Sequence, residues 1–253
     1  MSKVIMIKNR QGGVGKSTAA INLSVYFGLQ GKKVLAIDFD PQANTTKMLS
    51  KDSIVKQDIC GAILGKCSIS DCIINTIYSN VDLVASSDEL YESLKDLEKD
   101  IMNEPMLRLK YIIEPVIKNY DYIIIDCNPV IDLLAINTLL ASDICLVPSR
   151  TDGNSIDGVY AMSEYVNQIK VRQNPKLRML IFISDKERNN DANSAILKLK
   201  STYKDKLLST MIRHQSKPVT QSTQDDVLKP FILGNSNIAL DYVSLANELS
   251  EVI

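Results

Sequence analysis

No stretch of about 18 uncharged apolar residues occurs in the 253-residue chain, so no segment is suited to span a membrane. Met1 to Ile7 is short and carries Lys3, which does not fit an export signal. Charge of one sign is not in excess either. The 29 Lys and Arg face 30 Asp and Glu, a net −1 with a sequence pI of 5.9. That balance excludes a uniform basic coat for nucleic acid and leaves room for a local patch. The five cysteines (Cys60, Cys67, Cys72, Cys127, Cys145) contain no CxxC pair, and an odd number without a leader reads as reduced thiols of the cytoplasm. Cys60, Cys67 and Cys72 are irregularly spaced for zinc, so core packing is expected of them. Histidine occurs once, at His214 after Arg213, and reads as a surface residue. Repeats, linkers and low-complexity segments are missing, and a chain that is 45% hydrophobic is expected to fold as one domain over residues 1–253.

What is present alternates. Val4-Ile5-Met6-Ile7 is an apolar run stopped by Asn9-Arg10-Gln11-Gly12-Gly13, a buried strand ending in a glycine turn. Residues 17–30 carry Ala20, Ile21, Leu23, Phe27 and Leu29 at near-helical spacing, and Gly31 stops the helix. A strand over 33–37 then runs into Asp38-Phe39-Asp40-Pro41, completing a βαβ unit. Further strands are expected at 81–85, 122–126, 144–148 and 179–184. Helices are expected at 88–99, 104–119, 131–141 and 238–252. Ile123-Ile124-Ile125 leaves no solvent face. The pattern predicts an α/β fold, a single doubly wound, mostly parallel sheet flanked by helices.

Gly12-Gly13-Val14-Gly15-Lys16-Ser17 lies between a strand and a helix, the context in which a glycine-rich loop cradles phosphates. Glycines let backbone N–H groups approach phosphate oxygens, and the helix beginning near Lys16 adds its dipole. Lys16 is expected to bridge the β- and γ-phosphates and Ser17 to ligate Mg²⁺, so ATP and Mg²⁺ are the expected cofactors. The general pattern G-x-x-x-x-G-K-[ST] wants glycine at position 10, where this chain has Arg10.

Gln11-Gly12-Gly13-Val14-Gly15-Lys16-Ser17-Thr18 resembles the deviant Walker A loop of the ParA/MinD P-loop superfamily. Residues 34–44, through Asp38-Phe39-Asp40-Pro41-Gln42-Ala43-Asn44, resemble the D-x-D-P-Q-x-N switch of the ParA (Soj) partition ATPases, and residues 120–126 their Walker B strand. Met211-Ile212-Arg213 falls where that family has an I-P-R turn beside the adenine. The resemblance implies that Asp40 positions the attacking water, that Asp38 sits near Mg²⁺, and that Asp126 holds Mg²⁺ through water. The alternative for an Asp after a strand is a helix N-cap, and Gln42 and Asn44 are switch residues or turn formers. The family places a signature lysine just before Gly12, and this chain has Gln11 there. Glutamine brings no charge. Either Arg10 or Lys8 substitutes, or hydrolysis is weak, or the residue has been changed to trap a state. Walker B departs as well: Cys127-Asn128-Pro129 stands where Thr-Pro-Pro is usual, with Cys127 read as a small buried residue.

Between Lys176 and Lys217 there are ten basic and four acidic residues, whereas Asp82 to Glu104 holds eight acidic and two basic. The basic stretch is either a solvated helix face or a footprint for DNA phosphates through residues such as Lys198, Lys200, Lys204, Lys206, Arg213 and Lys217. By resemblance the chain is a short DNA-partition ATPase: a homodimer on ATP that binds non-specific DNA and is stimulated by a ParB-like centromere-binding protein. With the loop starting at residue 10 there is no room for an N-terminal helix-turn-helix, so operator binding is left to that partner. The alternatives are a MinD-like positioning ATPase and a nucleotide-gated regulatory module with little hydrolysis. Membrane attachment is disfavoured, since the tail from Leu245 to Ile253 has two acids and no base.

Overall fold

The computed structural model describes residues 2–50, 53–214 and 230–253. β1 (Lys3–Ile7) shows why the sheet is covered on both sides. Its even residues Val4 and Met6 point into one apolar cluster and its odd residues Ile5 and Ile7 into another, all essentially unexposed. A parallel strand with both faces buried must read as an unbroken apolar run.

α1 (Lys16–Leu29) follows the loop and ends where Gly31 takes a φ of +78°. Next come β2 (Val34–Phe39) and the short α2 (Asn44–Leu49), α3 (Ile59–Ile63) and α4 (Ile69–Cys72). β3 (Ile73–Asn75), β4 (Val81–Val84), α5 (Leu90–Lys99) and α6 (Arg108–Ile113) complete the first half. The second half runs β5 (Tyr122–Cys127), α7 (Leu133–Ala141), β6 (Ile144–Arg150), α8 (Gly153–Arg172), β7 (Arg178–Lys186), α9 (Asn190–Tyr203), β8 (Leu207–Arg213) and α10 (Asn237–Val252). The sheet order is β3-β4-β2-β5-β1-β6-β7-β8, parallel throughout except for the edge strand β3. Phe27 of α1 stacks on Tyr122 at 4.2 Å between ring centroids. α1 and α10 line one face, with Leu23, Phe27, Tyr242, Leu245 and Leu249 in the same cluster as Ile5 and Ile124. α3 and α5–α9 contribute to the cluster on the other face. Two short backbone bonds, from Ser209 N and Thr210 N to the Glu248 carboxylate at 2.6 and 2.8 Å, stitch α10 to β8.

The expected elements are found, with differences that have physical reasons. The helix expected over 104–119 is broken: Glu104 has a φ of +50°, single 3₁₀ turns cover Pro105–Leu107 and Ile117–Asn119, and only Arg108–Ile113 is α-helical. Pro115 has no N–H to offer the carbonyl four residues earlier, so the helix stops before it. β2 extends to Phe39, which places Asp38 inside the strand and Asp40 at the first residue beyond it. The short α2–α4 and β3, together with α8, α9 and β8, have no counterpart among the expected elements. Gly153, Asn154 and Gly158 blur the helical period of α8, although Asp152 caps it by accepting from Ser155 N at 3.0 Å.

Candidate nucleotide site

The parallel strands β1, β2, β5, β6, β7 and β8 end on one edge of the sheet, where ligands of open α/β sheets bind. β1 delivers Lys8–Gly15 to that edge. Gly13 and Gly15 have φ of +71° and +83°, backbone that only glycine adopts cheaply. Gly15 directly precedes α1, so no side chain caps that helix and its first turn holds no acid. Its amides and dipole are left for an anion. Asn9, fully buried, pins the loop from below. Its Nδ2 donates to Pro148 O at 2.7 Å and Ser155 O at 3.3 Å, and its Oδ1 accepts from Gln11 N at 2.9 Å. Gly158 of α8 makes room, for a Cβ there would lie 2.0 Å from Asn9 Oδ1. Sequence reasoning missed both residues; the only available signal was a glycine inside a helix.

Asp38 and Asp126 are register partners on the adjacent strands β2 and β5, and Ile7 of β1 is the partner of Asp126 on its other side. Asp38 accepts from Thr46 N at 2.7 Å, Thr46 Oγ1 at 2.8 Å and Asp40 N at 3.2 Å. Asp126 Oδ2 accepts from Thr45 Oγ1 at 2.8 Å, while Asp126 Oδ1 is buried and has no hydrogen-bond partner. Burial raises both carboxyls above the ordinary carboxylate range. The Asp38 charge adds to the rise at Asp126, and the Thr46 bonds oppose it at Asp38. Lys16 is nearly buried, its ammonium donating to Gln11 O at 3.0 Å. Burial lowers its pKa, and the nearby Asp126 and Asp40 carboxylates pull it back up. Asp40 Oδ1 accepts from Gln42 N at 2.9 Å in a turn where Ala43 has a φ of +54°. Gln42 and Asn44 are exposed on that turn. None of the three aspartates is a helix N-cap residue: Ala43 precedes α2 and Asp132 caps α7.

These residues fit a nucleotide phosphate with a hard divalent cation. One buried oxygen of the Asp126 carboxylate has no partner, and the nearby Ser17 hydroxyl is among the groups that oppose the rise in its pKa. Among the described residues no group of three or more His, Cys, Asp or Glu can hold a metal unaided. A cation bound here would therefore need oxygens beyond these carboxylates, from a hydroxyl, phosphate or water, as Mg²⁺ commonly uses.

The two substitutes considered for a charge at position 11 separate clearly. Arg10 is exposed beside the loop. Lys8 is wholly buried, and its ammonium donates to Asn128 O, Asn128 Oδ1 and Val130 O at 2.6, 3.0 and 2.5 Å, which leaves it no free N–H for the loop. Burial lowers its pKa as well. Cys127 is buried, as expected. Cys60 and Cys72 are buried too, and half-buried Cys67 lies with its Sγ 3.5 Å from that of Cys72.

Met211-Ile212-Arg213 is not a turn but the end of β8, where Met211 and Arg213 pair with Ile183 and Lys186 of β7. Ile212 carries a backbone N–H that a proline would lack, so nothing interrupts the strand. Met211 packs against the core, and Arg213 binds Asp241 through Nε at 2.9 Å and Nη2 at 2.7 Å. Arg213 and His214 line a cavity of about 920 Å³ with Lys186, Arg188 and the N-terminus of α10. β7, whose end carries Lys186 to the cavity, also passes the loop: a Cβ on Gly15 would lie 3.7 Å from Ser184 Cβ. His214 is exposed, as expected of a surface residue, and its Nδ1 lies 2.8 Å from Asp185 Oδ1, while Arg150 meets the other oxygen of that carboxylate at 3.3 Å. Of the basic stretch, Lys198, Lys200 and Lys204 are exposed, Lys206 is half-buried and Lys217 lies outside the described residues. Among the described residues no helix is long and apolar enough to cross a membrane.

The AAA domain family matches residues 2–179. The chain is 33% identical over 256 residues to the sporulation initiation inhibitor protein Soj of Bacillus subtilis strain 168, covering 99% of each. A crystal structure of a plasmid partition protein from Borrelia burgdorferi superposes with a TM-score of 0.78 at 25% identity, covering 100% of this chain and 99% of that one. Cobyrinic acid a,c-diamide synthase from Mycobacterium smegmatis, solved with an ATP analogue and magnesium, shares the fold at a TM-score of 0.84 and 22% identity, over 98% of this chain and 94% of that one. With the loop, the sheet order and the matched residues in agreement, the chain belongs to the ParA/MinD-type family of P-loop ATPases.

Proposed function

We propose that this chain is an ATP-dependent DNA-partition ATPase. It binds ATP with Mg²⁺ as one domain over residues 1–253 and forms a homodimer on ATP. In that state it holds DNA without sequence preference, and it hydrolyses ATP when a ParB-like centromere-binding protein stimulates it. Its place is the cytoplasm, on the nucleoid, without membrane attachment. The observation that carries this reading is the end-to-end similarity to Soj. A loop facing three aspartates supports it.

The proposed roles rest on the family resemblance, and the geometry of the loop is compatible with them. Gly12, Gly13, Val14 and Gly15 present amides to the phosphates, Lys16 pairs with the β- and γ-oxygens, and Thr18 sits with Ser17 in the first turn of α1. A bound Mg²⁺ supplies positive charge where negative charge develops on the phosphate. Ser17, Asp38 and Asp126 are the residues that hold it. Asp40, one residue beyond β2, orients the attacking water. Arg213, which lines the cavity, and Met211, which packs against the core, are assigned to the base side by the resemblance. Gln11 favours a second reading, a nucleotide-gated regulatory module that turns over slowly, because it brings no charge to the loop.

Binding to random-sequence duplex DNA, measured with ATP, with ADP and without nucleotide across a salt series, tests the proposal. ATP-dependent binding is expected, weakening steeply with salt as Lys and Arg contacts to phosphate require. It should be lost in Lys16→Ala. Absence of binding in every state would remove DNA from the function.

A further inference from the structure

The roles assigned above leave Lys8 without a task, although it is among the largest fully buried side chains of the described residues. An unpaired ammonium in such a place is costly. Here its three N–H donors meet three acceptors, Asn128 O, Asn128 Oδ1 and Val130 O. Lys8 follows Ile7, the register partner of Asp126, so these acceptors stand two and four residues beyond the candidate metal carboxylate. The contact continues. Asn128 Nδ2 lies 3.4 Å from Asp132 Oδ2, and Asp132 caps α7 by accepting from Ala135 N at 3.0 Å. Asn128 is also where the chain departs from the usual Thr-Pro-Pro, and a proline there would offer Lys8 no side-chain acceptor.

We infer that Lys8 is a positioning residue: it ties the root of the phosphate loop to the segment leaving Asp126, and so fixes the Asp126 carboxylate relative to Ser17. The bonds join two strands that both end at the site: β5 ends one residue past Asp126, and β1 leads through Lys8 into the loop of Gly12–Ser17. Loss of the ammonium leaves two carbonyls and an amide oxygen without a donor, and the segment then shifts to recover partners. Such a shift reaches Asp126 before any other site residue. The role is distinct from binding the phosphates, because all three ammonium N–H donors are already engaged by Asn128 and Val130.

This assignment rests on the proposed use of ATP and Mg²⁺. The test uses the full chain as wild type, Lys8→Met and Asn128→Ala, with a fluorescent ATP analogue titrated in EDTA and then at rising Mg²⁺. Thermal unfolding checks that each variant is folded. Nucleotide affinity in EDTA is expected to stay within about twofold of wild type. The Mg²⁺ concentration at half-effect is expected to rise about tenfold in Lys8→Met, the lower end of what outer residues contribute at metal sites. Asn128→Ala, which keeps both backbone acceptors and the ammonium, should show a smaller rise. A residue that only stabilises the fold would lower the melting temperature and leave the Mg²⁺ requirement alone, and that result overturns the inference. If Lys8→Met does not fold, Asn128→Ala decides by the same criterion. Failure of the wild type to bind nucleotide at all overturns the proposed function and this inference with it. Normal wild-type binding with unchanged Mg²⁺ dependence in the variants overturns the inference alone.

Discussion

At the scale of single residues, Asp126 is the most constrained group in the site. It is essentially unexposed, one oxygen has no partner, and Asp38 stands beside it on the neighbouring strand. Its folded pKa is raised, first by burial and then by the Asp38 charge. In the unfolded chain an Asp loses its proton near pH 3.9. Between that value and the raised folded value, the folded state keeps a proton that the unfolded state has released. Stability therefore falls as pH rises through this window, and above it the folded state bears the full cost of a buried charge. Asp126→Asn is accordingly expected to raise the melting temperature of the nucleotide-free protein at pH 8. At pH 5.5, where the wild-type carboxyl is closer to neutral, the gain should be smaller. Each 1 kcal/mol corresponds to roughly 2–4 °C for a chain of this size. Mg²⁺ should reverse the order, stabilising wild type more at pH 8 than at pH 5.5 and adding nothing comparable to the variant. Differential scanning fluorimetry at both pH values, with and without Mg²⁺, reads all four cases; equal gains at both pH values would contradict the raised pKa.

At the scale of elements, the loop is held by its neighbours as much as by its own glycines. Asn9 joins it to β6 through Pro148 and to α8 through Ser155, and α8 comes this close because residue 158 is glycine. Gly158→Ala puts a methyl 2.0 Å from Asn9 Oδ1, a distance at which something must move. The overlap is expected to cost about 1–3 kcal/mol, as overpacking does. It should also weaken nucleotide binding, because the bond from Gln11 N to Asn9 is lost when Asn9 turns away. Equilibrium unfolding together with nucleotide titration measures both effects, and a loss of stability with unchanged affinity would uncouple α8 from the loop. This clamp also marks the limit of what the sequence discloses. β1, the loop, α1, β2 and β5 were legible because a buried parallel strand and a glycine turn leave local signatures that need no partner to be recognised. Asn9, Gly158, Thr45, Thr46 and Lys8 act through contacts up to 149 positions apart in the chain, and nothing local announces them. Met211-Ile212-Arg213 resembles a turn motif for a related reason: the pairing that makes it the end of a strand comes from β7.

At the scale of the whole molecule, turnover depends on where positive charge sits when phosphate is transferred. Within one chain the loop offers Lys16, held on Gln11 O, and Arg10, exposed at the rim; Lys8 is engaged by the segment after Asp126. Gln11 is half-buried beside Lys16 and contributes a polar but neutral side chain. If the proposed homodimer brings two loops together around two ATP molecules, Arg10 is the exposed cation of this segment that can reach a facing phosphate without breaking buried bonds. Charge at this point of a phosphoryl transfer is worth about 10³–10⁵ in rate. Gln11→Lys is therefore expected to raise the ATPase rate by at least tenfold while leaving ATP affinity nearly unchanged. In that background Arg10→Ala should have little effect on rate, whereas in wild type the same change should lower it. Steady-state phosphate release from the four proteins settles the matter. A rate unchanged by Gln11→Lys but abolished by Arg10→Ala would mean that Arg10 already does the work of a lysine at position 11. A rate indifferent to both would favour the slow, nucleotide-gated module over the partition ATPase.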